Sequence, residues 1–346
     1  MSDFTLLIII WYRQNSRDLP WRNTNNPYFI WLSEIILQQT RVEQGLPYYK
    51  KFIKNFPTIE SLANSDEQKV LNLWQGLGYY SRARNLHTAA KQVVSEFNGE
   101  FPKTFSEIKT LKGIGDYTAA AIASFAYDLP HAVVDGNVFR VLSRYFDDST
   151  PIDTSSGKNV FSAYAHDLIP KDNPAEFNQA IMELGALICK PKNPLCDSCP
   201  VQETCISRRK NNQHELPVKA KKTKVSQVYF YYLYLKGRQI PIEKRTKGIW
   251  QNMYQLPLIE SNSPLEKEYL EKESLKAWGF KLIGKKPVQT YTHILSHQRI
   301  YASFWEVEKI NESNQDIKEI KLAELVDLPL PRLITRFFED EGIEFK

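Results

Sequence analysis

Apolar residues recur at helical spacing through the N-terminal part of the chain. Residues 3–15 form one amphipathic stripe, and a second helix is predicted over residues 28–45. Residues 45–100 continue as helices separated by polar turns, and residues 158–188 contain two more helices. This spacing predicts a mainly α domain over residues 1–210.

The pattern changes after Val225. Residues 228–235 are a run of aromatic and aliphatic side chains that is typical of a strand, and residues 248–257 are a second extended, aromatic segment. Two further strands are predicted at 287–291 and 299–307, and three helices are predicted at 264–278, 322–325 and 332–341. These elements predict a smaller α/β domain over residues 227–346, joined to the α domain by a lysine-rich linker over residues 211–226.

Two glycines in the α domain predict a helical hairpin. Gly113 and Gly115 bracket Ile114 between two apolar segments, and glycine permits the tight turn that such a hairpin requires. The next segment, residues 116–127, is rich in alanine, which suits a helix packed among other helices. Backbone N–H groups at the start of that helix form an end that attracts phosphate.

Asp135 precedes the following helix, where the ordinary role of a carboxylate is that of an N-cap.

One carboxylate lies inside an apolar helical segment. The helical neighbours of Glu34 are Ile30, Trp31, Leu37 and Gln38. Because apolar surroundings disfavour the charged form, the pattern predicts a raised pKa for Glu34. Such a group can hold a proton near neutral pH and deliver it to a leaving group. The alternative is a partly exposed glutamate that pairs with Lys or Arg.

Other features of the α domain are compatible with a nucleic-acid partner. The formal net charge is +5, which permits a polyanion without requiring one. Residues 73–84 combine two glycines, two tyrosines and two arginines, and such a loop can present aromatic faces and cations to nucleic acid. The polar residues 38–41 could contact bases. The alternatives are a packed joint between helices for residues 73–84 and a solvated helix end for residues 38–41.

The four cysteines form the most specific motif. Cys189, Cys196, Cys199 and Cys205 are separated by six, two and five residues. Four thiolates in one compact loop can hold a [4Fe–4S] cluster. Structural zinc is the rival, but it typically uses two Cys pairs with short spacers, and this loop contains one such pair. The spacing therefore favours an iron–sulfur cluster and a reducing compartment over disulfides.

The chain carries no pattern of a membrane or secreted protein. No apolar run approaches the roughly 20 residues that a membrane span needs. The apolar start, residues 6–11, lacks a basic n-region, so a secretory signal is not expected.

Taken together, these motifs resemble the adenine DNA glycosylases of the MutY type, in the helix-hairpin-helix/GPD superfamily, over nearly the whole chain. The matching segments are LPWR (19–22), SEIILQQTRV (33–42), WQGLGYYSRARNLH (74–87), LKGIGDYTAAAI (111–122), VVDGNVFRVL (133–142), FNQAIMELGALIC (177–189), the cysteine loop and ILSHQ (294–298). The resemblance implies a helix-hairpin-helix domain with one [4Fe–4S] cluster in loop 189–205, and a Nudix-like domain that recognises 8-oxoguanine. It also implies that the protein is a monomer in the bacterial cytoplasm, associated with the nucleoid.

The resemblance implies the reaction and the residues that perform it. The family removes adenine mispaired with 8-oxoguanine or guanine in double-stranded DNA. Glu34 would protonate adenine at N7 and Asp135 would stabilise the oxocarbenium-like sugar, with Tyr117 and Asn137 supporting them by hydrogen bonds. Residues implied to contact substrate or DNA are Arg22, Gln39, Thr40, Tyr79, Gly113, Gly115, Gln179, Ser296 and His297. The implied cluster ligands are Cys189, Cys196, Cys199 and Cys205.

Three positions distinguish this chain from close relatives. Endonuclease III-type enzymes carry a nucleophilic Lys where this chain has Tyr117, so base removal without efficient strand cleavage is expected. Phe139 stands where some family members have Lys. Leu295 replaces a Phe that is common in the turn that recognises 8-oxoguanine.

Other functions remain as alternatives. One is an endonuclease III-like glycosylase that acts on oxidised or mismatched pyrimidines, and another is a non-catalytic DNA-binding protein. A third is a nucleotide hydrolase that uses residues 227–346, but no Nudix box occurs around residues 265–280, so its Mg²⁺ carboxylates are missing. His293, Ser296 and His297 lie in one turn, where hydrogen-bonding roles are favoured over a hydrolytic or metal site.

Overall fold

The computed structural model describes residues 2–220, 225–295, 297–313 and 317–343. These residues form two compact units. The first contains residues 2–64 and 85–220, and the second contains residues 65–84 together with the described residues from 225 onward. The second unit therefore includes a segment taken from the middle of the predicted α domain.

Helices account for most of the first unit. In chain order the helices before residue 211 are α1 (Asp3–Asn15), α2 (Pro27–Leu37), α3 (Val42–Asn55), α4 (Ile59–Ala63), α5 (Glu67–Trp74), α6 (Ser81–Glu96), α7 (Phe105–Thr110), α8 (Asp116–Tyr127), α9 (Gly136–Phe146), α10 (Ser155–Leu168), α11 (Pro174–Leu187) and α12 (Ile206–Lys210). Short 3₁₀ turns occur at Pro20–Arg22 and Cys196–Ser198. The predicted helices over residues 3–15 and 116–127 are confirmed at both ends.

The core of the first unit forms where α11 packs against α1, α8 and α9. Its buried side chains include Phe4, Ile8, Leu142, Phe161, Phe177 and Leu184. Burying apolar surface of this kind contributes roughly 25 cal/mol per Å², which makes such a cluster the main stabilising term of the unit. The helices that carry the candidate catalytic residues are thereby held in fixed positions.

The prediction of one helix over residues 28–45 is wrong. Helix α2 ends at Leu37 and α3 begins at Val42. Between them Gln39 has a left-handed backbone with φ of 55°. The chain turns sharply enough that a Cβ on Gly45 would lie 2.8 Å from Leu37 Cδ2, so a larger residue would require the Leu37 side chain to shift. Apolar periodicity continues on both sides of the polar residues, and it therefore concealed the break.

The predicted hairpin is formed by α7 and α8. Gly113 has φ of 80°, and a Cβ on it would lie 2.7 Å from Asn85 Cβ. Both features exclude a larger residue without a shift of the backbone or of Asn85. The turn delivers the first residues of α8, including Tyr117, to the interior of the unit.

The C-terminal part of the second unit is built on two sheets. Its strands are β1 (Ser226–Leu235), β2 (Gln239–Lys244), β3 (Tyr254–Gln255), β4 (Leu258–Ser261), β5 (Phe280–Leu282), β6 (Gln289–Ile294), β7 (Gln298–Lys309) and β8 (Lys318–Lys321). Its helices are α13 (Lys267–Trp278), α14 (Arg332–Asp340) and a 3₁₀ helix at Leu322–Asp327.

The larger sheet has the order β4-β1-β7-β5, with β6 paired to β7. Strands β1 and β7 are parallel, with Phe230 opposite Ala302, and the other pairs are antiparallel. The smaller sheet has the order β3-β2-β8. The predicted strands over 228–235, 287–291 and 299–307 are confirmed, whereas 248–257 is mostly a turn followed by the two-residue strand β3. Trp250 and Asn252 in that turn have left-handed backbones, which interrupt an extended segment.

In the parts of the chain that the structure describes, no helix has the length and apolar character needed to cross a bilayer.

Candidate active site

A cleft of about 1410 Å³ opens in the first unit. It collects side chains from α2, α8, α9 and α11 and from the joint between α2 and α3. Nine of the residues implied by the family resemblance line this cleft: Arg22, Glu34, Gln39, Thr40, Gly115, Tyr117, Asp135, Asn137 and Gln179. Residues separated by up to 157 positions in the sequence therefore meet at one place.

Glu34 projects from α2 and is 7% exposed. The Tyr117 hydroxyl donates a 2.6 Å hydrogen bond to Glu34 Oε2. Burial, reinforced by the negative charge of Asp135, raises the pKa of Glu34 to about 7, although the Tyr117 hydrogen bond and the charge of Arg22 oppose the rise. The predicted increase in the pKa of Glu34 is confirmed. The carboxyl group can therefore hold a proton at neutral pH.

Tyr117 is the second residue of α8, directly after the hairpin turn. Burial and the nearby carboxylates of Glu34 and Asp135 raise the pKa of its hydroxyl well above the ordinary value. The phenol therefore stays neutral and serves as a hydrogen-bond donor to Glu34.

Asp135 is the N-cap of α9. Its Oδ1 accepts 2.8 Å hydrogen bonds from the backbone N–H groups of Asn137 and Val138, and its Oδ2 accepts a 2.9 Å bond from Asn137 Nδ2. Burial raises the pKa of Asp135 above its ordinary value, and these hydrogen bonds together with the charge of Arg140 only partly oppose the rise. The capping role expected of Asp135 is confirmed, and the same bonds hold its carboxylate in the cleft.

Asn137 is itself held by Arg140 on the next turn of α9. Arg140 Nη2 donates a 2.8 Å bond to Asn137 Oδ1, so the Asn137 amide must present its NH₂ group to Asp135. Arg140 also donates through Nε to the carbonyl of Cys189 at 2.6 Å. A Cβ on Gly185 would lie 2.7 Å from Asn137 Cβ, so glycine is needed where α11 passes this site.

The lining of the cleft also contains an ion cluster around the buried Glu183. Glu183, 1% exposed, accepts 2.7 Å hydrogen bonds at Oε2 from Arg17 Nη2 and Arg22 Nη2. Burial acts to raise the pKa of Glu183, but the hydrogen bonds from Arg17 and Arg22 and the charge of Arg22 outweigh it and lower the pKa to about 2. The Arg22 guanidinium also lies 5.5 Å from the centroid of the Tyr12 ring. Tyr12 donates from its hydroxyl to Gln179 Oε1 at 2.5 Å.

Two other predicted residues belong to the second unit. Tyr79 is 45% exposed and has φ of 48°. His297 is exposed in the turn between β6 and β7, where its carbonyl accepts a bond from the Ser226 N–H. Ser296 lies outside the described residues. Gly113 shapes the hairpin turn and does not line the cleft.

The four cysteines surround a separate cavity in the first unit. All four thiols are free, and Arg144 and Arg208 line the cavity with them. Arg144 Nη1 donates to Cys189 Sγ at 3.4 Å and to the Lys190 carbonyl at 2.7 Å. Within the described ranges, no three Cys, His, Asp or Glu side chains are arranged as ligands of one metal ion. Four thiols that line one cavity are the donor set that an iron–sulfur cluster uses.

Comparison with known families assigns both parts of the chain. Residues 32–157 match the HhH-GPD superfamily of base excision DNA repair proteins, and residues 229–340 match the NUDIX domain family. The chain is 36% identical to the adenine DNA glycosylase of Buchnera aphidicola subsp. Baizongia pistaciae, over 96% of each protein. It belongs to the adenine DNA glycosylase family.

Further relatives extend this assignment. The adenine DNA glycosylase of Rattus norvegicus is 42% identical over 62% of this chain and 44% of the rat protein. A thermostable thymine-DNA glycosylase matches in structure with a TM-score of 0.56 and 29% identity, over 60% of this chain and 95% of that one. The predicted helix-hairpin-helix domain and Nudix-like domain are thus confirmed.

Sequence reasoning missed three residues that shape this glycosylase cleft: Tyr12, Arg140 and Glu183. Glu183 did carry a signal, because it is a carboxylate in an apolar helical segment, as Glu34 is in α2. It also lies four residues after Gln179. Arg140 follows Asp135 by five residues and resembles an ordinary surface cation of a helix. Nothing local marked Tyr12, whose partner Gln179 is 167 residues away.

Proposed function

We propose that this chain hydrolyses the N-glycosidic bond of adenine mispaired with 8-oxoguanine or guanine in double-stranded DNA. The observation that carries the proposal is the pair of buried carboxyl groups in one cleft, Glu34 and Asp135, whose surroundings give them different roles. The adenine DNA glycosylases of bacteria and mammals to which the chain is similar support adenine as the base.

Glu34 is the general acid. Its pKa of about 7 keeps a large fraction protonated at neutral pH, and the Tyr117 hydroxyl holds the carboxyl group in place. Transfer of this proton to N7 of adenine makes the base a neutral leaving group. The C1′–N9 bond then breaks and its electron pair stays with the base.

Asp135 stabilises the sugar that remains. Its carboxylate faces the positive charge that develops at C1′, and the capping bonds together with Asn137 hold it in position before the reaction. Water adds to C1′, and its proton passes to the Glu34 carboxylate, which restores the acid. Arg140 contributes by fixing the Asn137 amide.

Arg22 and Gln179 bind the adenine after it has been flipped out of the duplex. A base inside the stack cannot reach two buried carboxyl groups, so extrusion is a requirement of the chemistry. Glu183 holds Arg22 and Tyr12 holds Gln179, so both contacts are set before the base arrives.

We propose that the enzyme is monofunctional. Tyr117 occupies the position of the amine nucleophile in endonuclease III-type relatives, and its neutral phenol cannot form a Schiff base. Base removal therefore leaves an abasic site, and the strand breaks only on treatment with alkali.

The remaining residues engage the duplex. Gln39, Thr40 and Tyr79 would intrude at the lesion pair, and the Gly113–Gly115 turn would bind backbone phosphate. Ser296 and His297 would contact 8-oxoguanine. In this scheme residues 1–210 supply catalysis, 211–226 are a linker and 227–346 recognise the partner base. The enzyme would act as a monomer on chromosomal DNA in the bacterial cytoplasm, at the nucleoid.

The four cysteines would hold a [4Fe–4S] cluster. The shared cavity and the Arg144 donor to Cys189 Sγ support this assignment, since a cation compensates the charge of thiolate ligands. A bound cluster supplies metal–thiolate bonds that hold loop 189–205 in its folded form. Arg140 and Arg144 bind carbonyl groups at the start of this loop and thereby connect it to α9.

Single-turnover release of adenine tests the function. The substrates are duplexes with adenine opposite 8-oxoguanine, guanine or thymine, and a duplex with an oxidised pyrimidine. We expect release opposite 8-oxoguanine and guanine, its loss in Glu34→Gln, and unchanged rates in the exposed control Glu60→Gln. The rate should fall as the pH rises through about 7, because Glu34 then loses its proton. Release of the pyrimidine alone would instead favour the endonuclease III-like alternative.

A further inference from the structure

The segment that carries Tyr79 packs with the C-terminal part of the chain. Residues 65–84 contain α5, the loop after it and the start of α6. They cluster with the described residues from 225 onward and not with residues 2–64 or 85–220. This grouping is unexpected from the sequence, because residues 65–84 lie within the predicted catalytic domain.

Four hydrogen bonds fasten the segment at both of its ends. In α5, Glu67 Oε1 accepts a 2.6 Å bond from Asn252 Nδ2, and Asn72 Nδ2 donates to the Val326 carbonyl at 3.2 Å. After α5, Gln75 Nε2 donates to the Leu330 carbonyl at 3.0 Å, and Arg84 Nη1 donates to the Gln251 carbonyl at 2.9 Å. The anchors therefore bracket residues 76–83.

The bracketed loop is held in an unusual backbone shape. Gly76, Gly78 and Tyr79 have φ of 100°, 73° and 48°. Trp74 Nε1 donates to the Gly78 carbonyl at 3.0 Å, and Arg82 Nη2 donates to the same carbonyl at 3.2 Å. A left-handed backbone at tyrosine persists only where the surroundings determine it. The result is an exposed aromatic ring on a loop whose shape is set before DNA binds.

We propose that the C-terminal part of the chain positions the Tyr79 loop, with Glu67 and Gln75 as the positioning residues. The proposal rests on the proposed function, which assigns Tyr79 to the lesion pair. The same unit carries the turn around His297 that the proposed function assigns to 8-oxoguanine. Intrusion by Tyr79 and recognition of the partner base are then performed by one body, and weakening its internal anchors should act through Tyr79.

A double-mutant cycle on the full-length protein tests this dependence. The released variant combines Glu67→Ala with Gln75→Ala, and it is compared with Tyr79→Ala and with all three substitutions together. The matched control combines Glu60→Ala, which also removes an acid from the first turn of a helix, with Gln14→Ala on α1. Single-turnover adenine release opposite 8-oxoguanine is the first readout. Fluorescence of 2-aminopurine placed next to 8-oxoguanine is the second, because it reports unstacking by the loop.

We expect the released variant to slow adenine release about tenfold and to lose most of the 2-aminopurine signal, with changes under about twofold in the control. On the Tyr79→Ala background the two substitutions should change the rate less than about twofold, since the residue through which they act is already gone. Gln75→Ala alone gives the same comparison if the double variant does not fold.

The outcomes separate this proposal from the function itself. If the unmodified protein releases no adenine, the proposed function fails. The positioning role is refuted if the unmodified protein releases adenine while the variant with Glu67→Ala and Gln75→Ala matches the control. It is also refuted if the rate effects of Tyr79→Ala and of these two substitutions multiply.

Discussion

Replacing Glu34 by glutamine should stabilise the protein, and the gain should grow with pH. Glutamine keeps an oxygen that can accept the Tyr117 hydroxyl but never ionises. The wild-type carboxyl group must lose its proton in a buried site as the pH rises. The variant avoids that cost, so the difference between the two proteins isolates the energetics of one ionisation.

The magnitude follows from the pKa. In the unfolded chain Glu34 ionises near its model value of 4.5, and in the folded protein its pKa is about 7. Because the folded-state pKa is raised, the folded protein holds the extra proton, and stability is lost as the pH rises from about 4.5 through about 7. The complete loss is about 3 kcal/mol, of which about 1 kcal/mol is already present at pH 5. Above about pH 8 the loss is constant.

Thermal unfolding of both proteins between pH 5 and pH 9 measures this difference. Each kcal/mol corresponds to about 2–4 °C in Tm for a unit of 150–250 residues. The Tm of Glu34→Gln should therefore exceed that of the wild type by several degrees more at pH 9 than at pH 5. Glu60→Gln, at an exposed glutamate, controls for the loss of a negative charge.

A pH-independent difference in stability between glutamine and protonated glutamate would shift the whole plot of the Tm difference against pH without changing its slope. The slope is therefore the test. A Tm difference that is independent of pH, or that shrinks as the pH rises, would refute the assignment of a raised pKa to Glu34.

Three further substitutions test other parts of the first unit. Glu183→Gln should have the opposite sign: the lowered pKa, about 2, predicts a loss of about 3 kcal/mol at neutral pH that fades as the pH falls from about 4.5 toward 2, measured by acid and thermal unfolding. Gly113→Ala should destabilise the hairpin by about 1–3 kcal/mol, since its Cβ would lie 2.7 Å from Asn85 Cβ at a φ of 80°; a Tm equal to that of the wild type would contradict this. Tyr12→Phe should slow adenine release about two- to tenfold by freeing the Gln179 amide, and an unchanged rate would show that Gln179 needs no such support.

The parts of the site that could be predicted from sequence depend on near neighbours in the chain. A raised pKa for Glu34 could be predicted from the apolar residues on its own helix, and the capping role of Asp135 from its place before α9. The Tyr117 bond to Glu34 joins residues 83 positions apart, so only the family resemblance brought them together. The missed strands β2, β4, β5 and β8 are short, and three to six residues provide too little alternation to recognise.

Two features of the fold left no mark in the side-chain pattern because each depends on the backbone. The break between α2 and α3 was missed because apolar spacing resumes in phase beyond Gln39, although the backbone there is left-handed. The attachment of residues 65–84 to the C-terminal part was also missed, because it depends on hydrogen bonds to backbone carbonyls, at Val326, Leu330 and Gln251. Backbone acceptors exist at every residue, so no side-chain pattern can mark them.

The two carboxyl groups in the cleft differ in the hydrogen bonds that they accept, and this difference gives them different chemical roles. Glu34 receives one hydrogen bond, from a neutral phenol, and burial dominates its pKa. Asp135 is also buried, but two backbone N–H groups and the Asn137 amide donate to it. Such donors stabilise the charged form and oppose the rise that burial causes in the pKa of Asp135, and the charge of Asp135 in turn helps Glu34 to keep its proton. Substituting Asn137 should therefore affect both groups, since a weaker hold on the Asp135 charge also changes the field at Glu34.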